Sequence, residues 1–243
     1  MKNYMAFLGK EFLEYRRTYK VFIMVIVFSI IGIISPLMAK MLPDILNNLL
    51  TQGMTITLPK PTALDAWNQF FKNTTQMGLI VLVVVFSGIL SSERSKGTLI
   101  NMLTKGLSRT TVILSKYSAM AILWTLSLLV SVLLTLGYSS YLFPNDTVPN
   151  LVPSILYIWL FGLFLLGLLL LAGTLTKTNY SALLFTGAIV ASTIFISIIP
   201  TTHDYNPLTL ASANTGLMTN SLTPPILKSC HYNYSNLNNS INR

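Results

Sequence analysis

Five long apolar runs are spaced along the chain, at residues 21–39, 77–90, 112–138, 155–175 and 180–199. Most approach the roughly 20 residues a helix needs to cross about 30 Å of hydrocarbon. The second is the shortest. Pro36 stands near the end of the first, and Pro200 stops the fifth. Lipid offers no hydrogen-bond partners, so only helices or closed barrels can span it. The four consecutive leucines at 168–171 break the alternation that a barrel strand requires. The pattern predicts an all-α, polytopic membrane bundle with five transmembrane helices.

Three amphipathic segments lie between or before these runs. In residues 1–20, Tyr4, Leu8, Phe12, Tyr15 and Tyr19 recur at helical spacing. The segment predicts an interfacial helix along the membrane surface. In residues 61–73, Thr62 can cap a helix, with Asp65 in its first turn. Ala63, Ala66, Trp67, Phe70 and Phe71 then form an apolar face. A short outer helix follows, lying on the membrane or on neighbouring spans, with Trp67 and Phe71 read as interfacial anchors in preference to a ligand box.

The third amphipathic segment joins the second and third runs. Glu93 ends a span and Gly97-Thr98 can start a helix. Leu99, Met102 and Leu103 give that helix an apolar face. Gly106 breaks it, and Ser108-Arg109-Thr110 opens the next span. A short helix bounded by turns suits docking into a groove of a soluble partner, or lying on the interface alone.

Composition supports the membrane reading. Charged residues are 9% of the 243, against about 25% in a soluble domain. Hydrophobic residues are 52%, which excludes a disordered chain. The single cysteine, Cys230, excludes a disulfide scaffold, and two histidines with one cysteine do not make a four-ligand metal site.

The net charge of +9 has an orientation, not a nucleic-acid partner, as its explanation. Residues 1–20 hold five basic groups, Lys2, Lys10, Arg16, Arg17 and Lys20. Residues 91–116 hold five more, Arg94, Lys96, Lys105, Arg109 and Lys116, and the turn after the fourth run holds Lys177. These eleven share one side; five remain for the other. The positive-inside rule makes the first side cytoplasmic, with the N-terminus inside and residues 40–76 and 139–154 outside. The first run is read as a retained helix rather than a signal peptide, because it is too long and no small-x-small cleavage site follows.

Catalytic signatures are absent. The chain has no P-loop, no H-E-x-x-H and no G-x-S-x-G. His203 and His231 stand beside no recognisable acid and nucleophile. The apolar runs hold no acid and no histidine, and their one basic residue is Lys116 at the inner edge of the third, where it can snorkel. Ion-coupled carriers generally place ionisable groups at depth. Any driving force for transport therefore comes from another subunit. The chain is not expected to be an enzyme or to hold a cofactor.

The connecting segment resembles the permease subunits of ABC transporters of the type-2 exporter class. That family shows a Glu, then Gly-Thr, then a Leu-rich helix, a Pro-x-Ser-Arg turn and a Lys in the next span. Glu93, Gly97, Thr98, Leu103, Ser108, Arg109 and Lys116 match in order, with Gly106 where the family often has Pro. Lys10-Glu11, Glu14 and Arg17 resemble the family's elbow helix. The likeness covers roughly residues 1–225. It implies a cytoplasmic coupling helix that meets a soluble ABC ATPase, with Glu93, Gly97, Thr98, Leu103 and Arg109 as partner-coupling residues. It also implies a second permease chain, identical or homologous, in the cell membrane, and export of substrate. The rival readings are a non-transporting assembly or immunity component and an ion-coupled carrier.

The family usually has six spans. Here residues 230–243 include five Asn among fourteen residues and cannot cross a bilayer. Residues 226–243 are read as a polar tail, either an out-of-frame reading that replaces the sixth span or the end of a five-span variant.

Overall fold

The structure is a computed structural model that describes residues 2–49, 60–90, 108–144, 146–176, 178–197 and 218. Every regular element among these is helical. Helix α1 is Lys2–Arg17 and α2 is Lys20–Leu49. Helix α3 is Ala63–Asn73, joined through a π-helical turn, Thr74–Gly78, to α4, Leu79–Phe86. Then come α5, Arg109–Leu142, α6, Leu151–Leu175, and α7, Asn179–Ser197.

Four stretches among the described residues are long and apolar enough to cross a membrane: Lys20–Pro43, Ala63–Phe86, Arg109–Leu142 and Leu151–Leu175. A fifth apolar helix is shorter, Tyr180–Ala191. The chain is therefore a polytopic helical membrane protein, as its apolar runs predict.

One boundary differs from the sequence expectation. The outer helix and the second span are a single rod, not two elements. Asn73 and Thr74 look like a break because they are polar. In the bundle Asn73 instead donates to Ser35 Oγ at 3.0 Å, and Gln69 donates to Asn73 at 3.3 Å. Thr74 is buried and stays right-handed helical. No proline intervenes, so the helix runs on, taking up one extra residue in the π turn. Trp67 and Phe71 are accordingly buried, at 2% and 3% exposure, and not interfacial anchors. They pack with Phe70 in edge-to-face and tilted contacts, against α2 and α5.

The expected start signals hold. Thr62 and Asp65 form a capping box: the Thr62 backbone N–H donates to Asp65 Oδ2 at 2.9 Å, and the Asp65 N–H donates to Thr62 Oγ1. Asp146, from the loop after α5, accepts from the Ala63 N–H at 3.1 Å. Two acids thus meet the positive end of one helix.

Helix α5 is the axle of the bundle, packing on α1, α2, α3 and α6. Trp124 on it is fully buried and donates through Nε1 to the Trp159 carbonyl at 3.1 Å. Trp159 donates back to Thr125 Oγ1 at 2.9 Å. Gly162 makes the crossing possible, since a Cβ there would collide with the Trp124 indole. On its other side Trp124 meets Phe28 of α2 edge-on, with centroids 5.4 Å apart. Without a hydrophobic drive between helices in lipid, such packing and interhelical hydrogen bonds hold the bundle together.

Candidate functional site

The sequence places the candidate coupling residues between α4 and α5. Glu93, Gly97, Thr98 and Leu103 lie outside the described residues. Arg109 is the first residue of α5 and is exposed. Ser108 before it caps the helix, accepting from the Thr111 N–H at 3.1 Å. The segment therefore re-enters the bundle through a fixed helix start.

Seven residues further on, roughly 10 Å along the axis, stands Lys116. It does not snorkel. Its side chain is 1% exposed, and Nζ lies 2.9 and 3.0 Å from the two Glu11 carboxylate oxygens. Glu11 belongs to α1 and is equally buried. A second lysine, Lys10, reaches Glu11 Oε1 at 3.2 Å and Glu14 Oε2 at 3.1 Å. The result is a charge-balanced group of two acids and two bases. Phe7 lies beside it, its ring centroid 5.0 Å from Lys10 Nζ and 5.8 Å from Lys116 Nζ. One turn toward the N-terminus of α1, the Tyr4 hydroxyl donates to Ser118 Oγ at 2.7 Å.

Burial alone would raise the Glu14 carboxyl. The Lys10 hydrogen bond and the charges of Lys10, Lys116 and Lys20 outweigh it and hold the group below its ordinary value of 4.5.

This clamp sets the azimuth of α1. Phe7, Glu11 and Tyr15 face the bundle and are buried, while Tyr4, Leu8 and Phe12 are half-buried. The expected apolar face of α1 is thus rotated by part of a turn, and its centre is Glu11. The sequence signal for this was a lone acid at helical spacing within an otherwise apolar face, together with a lone lysine at the edge of a span. Neither names the other as its partner.

No group of His, Cys, Asp and Glu able to hold a metal occurs among the described residues. The site's charged groups suit ion pairing that positions helices.

The family described as ABC-2 family transporter protein matches residues 5–237. The chain belongs to that family. That family consists of membrane transport components of ABC transporters. It is also similar to a Bacillus subtilis (strain 168) protein titled "Uncharacterized transmembrane protein YxlG", with 23% identity over 157 residues. That match covers 64% of this chain and 61% of the relative, so it spans less than two thirds of the relative's length. No solved structure matches the chain.

Proposed function

We propose that this chain is the membrane-spanning subunit of an ATP-driven exporter, coupling hydrolysis on a separate ATPase subunit to outward movement of substrate. ABC-2 family membership is the observation that carries this reading. The Glu11–Lys116 clamp supports it, because it ties α1 to the helix on which the connecting segment ends. Glu93, Gly97, Thr98, Leu103 and Arg109 are proposed as the residues through which the ATPase acts. A second permease chain, identical or homologous, completes the transporter in the cell membrane, with the N-terminus cytoplasmic. The distribution of eleven basic residues on one side supports that orientation.

Co-expression with a soluble ABC ATPase, sought first beside its gene, tests the reading. The two should co-purify, and inverted vesicles should accumulate substrate with ATP. Glu93→Ala or Gly97→Leu should weaken association or transport-linked hydrolysis while the protein still inserts. If both variants assemble and export as the unaltered chain does, the coupling role is wrong. If no ATPase co-purifies, the chain is a non-transporting membrane component. Orientation is read separately on a Cys230→Ser background. An impermeant thiol reagent on intact cells should label a cysteine placed at Lys60 and miss one placed at Ser95.

A further inference from the structure

We propose that the elbow between α1 and α2 is a binding surface for anionic phospholipid headgroups, carried by Arg16, Arg17 and Lys20. The inference needs only that α2 spans the membrane and is independent of any transport role.

The clamp around Glu11 decides which side of α1 faces outward. With Phe7, Glu11 and Tyr15 turned into the bundle, Met5 and Leu13 are left 66% and 52% exposed. Arg16 and Arg17 continue that outward side in the last turn of α1 and are exposed too. The nearest acids on the helix are already engaged: Glu11 by Lys116 and Lys10, Glu14 by Lys10. Neither arginine makes an ion pair with a described residue.

The chain then turns at Tyr19, whose φ of 58° puts it in the left-handed region. The Tyr19 N–H donates to the Arg16 carbonyl at 3.2 Å, and the Tyr19 carbonyl accepts from Ile23 at 2.9 Å. Two residues, Thr18 and Tyr19, therefore separate α1 from the start of the span at Lys20. Lys20 Nζ sits 5.5 Å from the Tyr15 ring centroid. A tyrosine tolerates the left-handed region poorly, so surrounding structure fixes this turn.

Depth selects the occupant. Phe22, Ile23, Ile26 and Ile30 below the turn are exposed on this chain, an apolar surface suited to acyl chains. Three cations within five residues stand immediately above that apolar surface, at the level where acyl chains meet headgroups. Tyr19 beside them is 71% exposed, suited to the same level. An acidic soluble protein or a nucleic acid would leave the apolar half uncovered. A phospholipid with a negative headgroup satisfies both halves. Basic residues at such a surface attract anionic lipid with an affinity gain of roughly fivefold per charge.

The test uses the purified full chain in detergent, titrated with phosphatidylglycerol or phosphatidylcholine and followed by native mass spectrometry of bound lipid. The unaltered chain should prefer phosphatidylglycerol by tenfold or more, on the order of two or three such charges. Salt should weaken the preference by screening. The triple variant R16Q/R17Q/K20Q should lose the preference, keeping its phosphatidylcholine binding. Arg17→Gln alone should lose roughly fivefold, and R16K/R17K should keep most of the effect. Lys60→Gln with Lys72→Gln, at the far end of the bundle, should change nothing. Equal binding of both lipids by the unaltered chain would overturn the proposal, and so would a preference that survives in the triple and single variants.

Discussion

The Thr135 hydroxyl of α5 lies 3.2 Å from the carbonyl oxygen of Gly32 in α2, and both are buried. That carbonyl is the one Pro36 leaves unpaired, because a proline four residues on has no N–H to give. The two helices come close enough because residue 32 is glycine: a Cβ there would lie 2.6 Å from the Ser131 carbonyl oxygen. Thr135 also lies 2.9 Å from that Ser131 oxygen, so its one hydrogen is shared between two acceptors. A helix-breaking residue in one span is thus compensated by a hydroxyl in the next.

This arrangement predicts a specific non-additivity. Thr135→Val keeps the volume and removes the donor, leaving the Gly32 carbonyl buried without a partner, at a cost of about 1–3 kcal/mol. Pro36→Ala restores the N–H that α2 lacks. In a Pro36→Ala background the penalty of Thr135→Val should therefore shrink to a few tenths of its former size. Thermal unfolding of the four proteins in one detergent measures the cycle. Equal penalties in both backgrounds would show that the hydroxyl does not serve that carbonyl.

The Glu11–Lys116 pair makes a second, sharper prediction. Both side chains are 1% exposed, so removing either charge leaves the other in a dry site without its closest counter-charge. Glu11→Gln or Lys116→Met should each cost about 3–5 kcal/mol. The double variant Glu11→Leu with Lys116→Met removes both charges and should recover much of the loss. A double variant as unstable as the worse single would mean that the pair matters through shape rather than charge.

These contacts show what was and was not legible in the sequence. The first, third and fourth spans, the Thr62 and Ser108 starts and the all-helical class follow from apolar runs and capping chemistry, which are local. The Glu11–Lys116 pair joins residues 105 apart and depends on the rotation of two helices about their axes. Periodicity finds a helix face but not its partner, and the tyrosines drew the expected face of α1 away from Glu11. The merging of α3 and α4 failed to show for a related reason. Polar residues read as a break when their partners are unknown, and the partner of Asn73 is Ser35, 38 residues away. Of the proposed coupling residues, only Arg109 lies among the described ones.

Glu14 predicts a pH dependence with a defined sign. Its folded-state carboxyl titrates below the ordinary value of 4.5. A depressed carboxylate contributes stability that is fully present above the unfolded value and is lost as pH falls through the folded one. The Lys10 contact, with Lys116 and Lys20 as more distant charges, is the source. The Glu14→Gln variant should therefore be less stable than the unaltered chain at neutral pH. The two should converge as pH drops below the mid-4 range. Melting curves of both proteins from neutral to acid conditions check this. A gap that widens on acidification would reverse the assignment.

The π turn at Thr74–Gly78 predicts the effect of losing a single residue. A π turn is an α-helix with one residue too many, and that residue sets the rotation of everything before it. Deleting Thr75 should let the rod relax to an unbroken α-helix. Helix α3 would then turn by about 100° relative to α4. Ala66, Trp67, Phe70 and Phe71 would leave α2 and α5, and Asn73 would lose Ser35. Thr75→Ala keeps the count and should be nearly silent. On a Cys230→Ser background, a cysteine at Ala66, now fully buried, should resist a maleimide in the full-length count and react in the deletion. The deletion should also melt well below Thr75→Ala. If position 66 stays protected and the melting point holds, the extra residue does not set the orientation of α3.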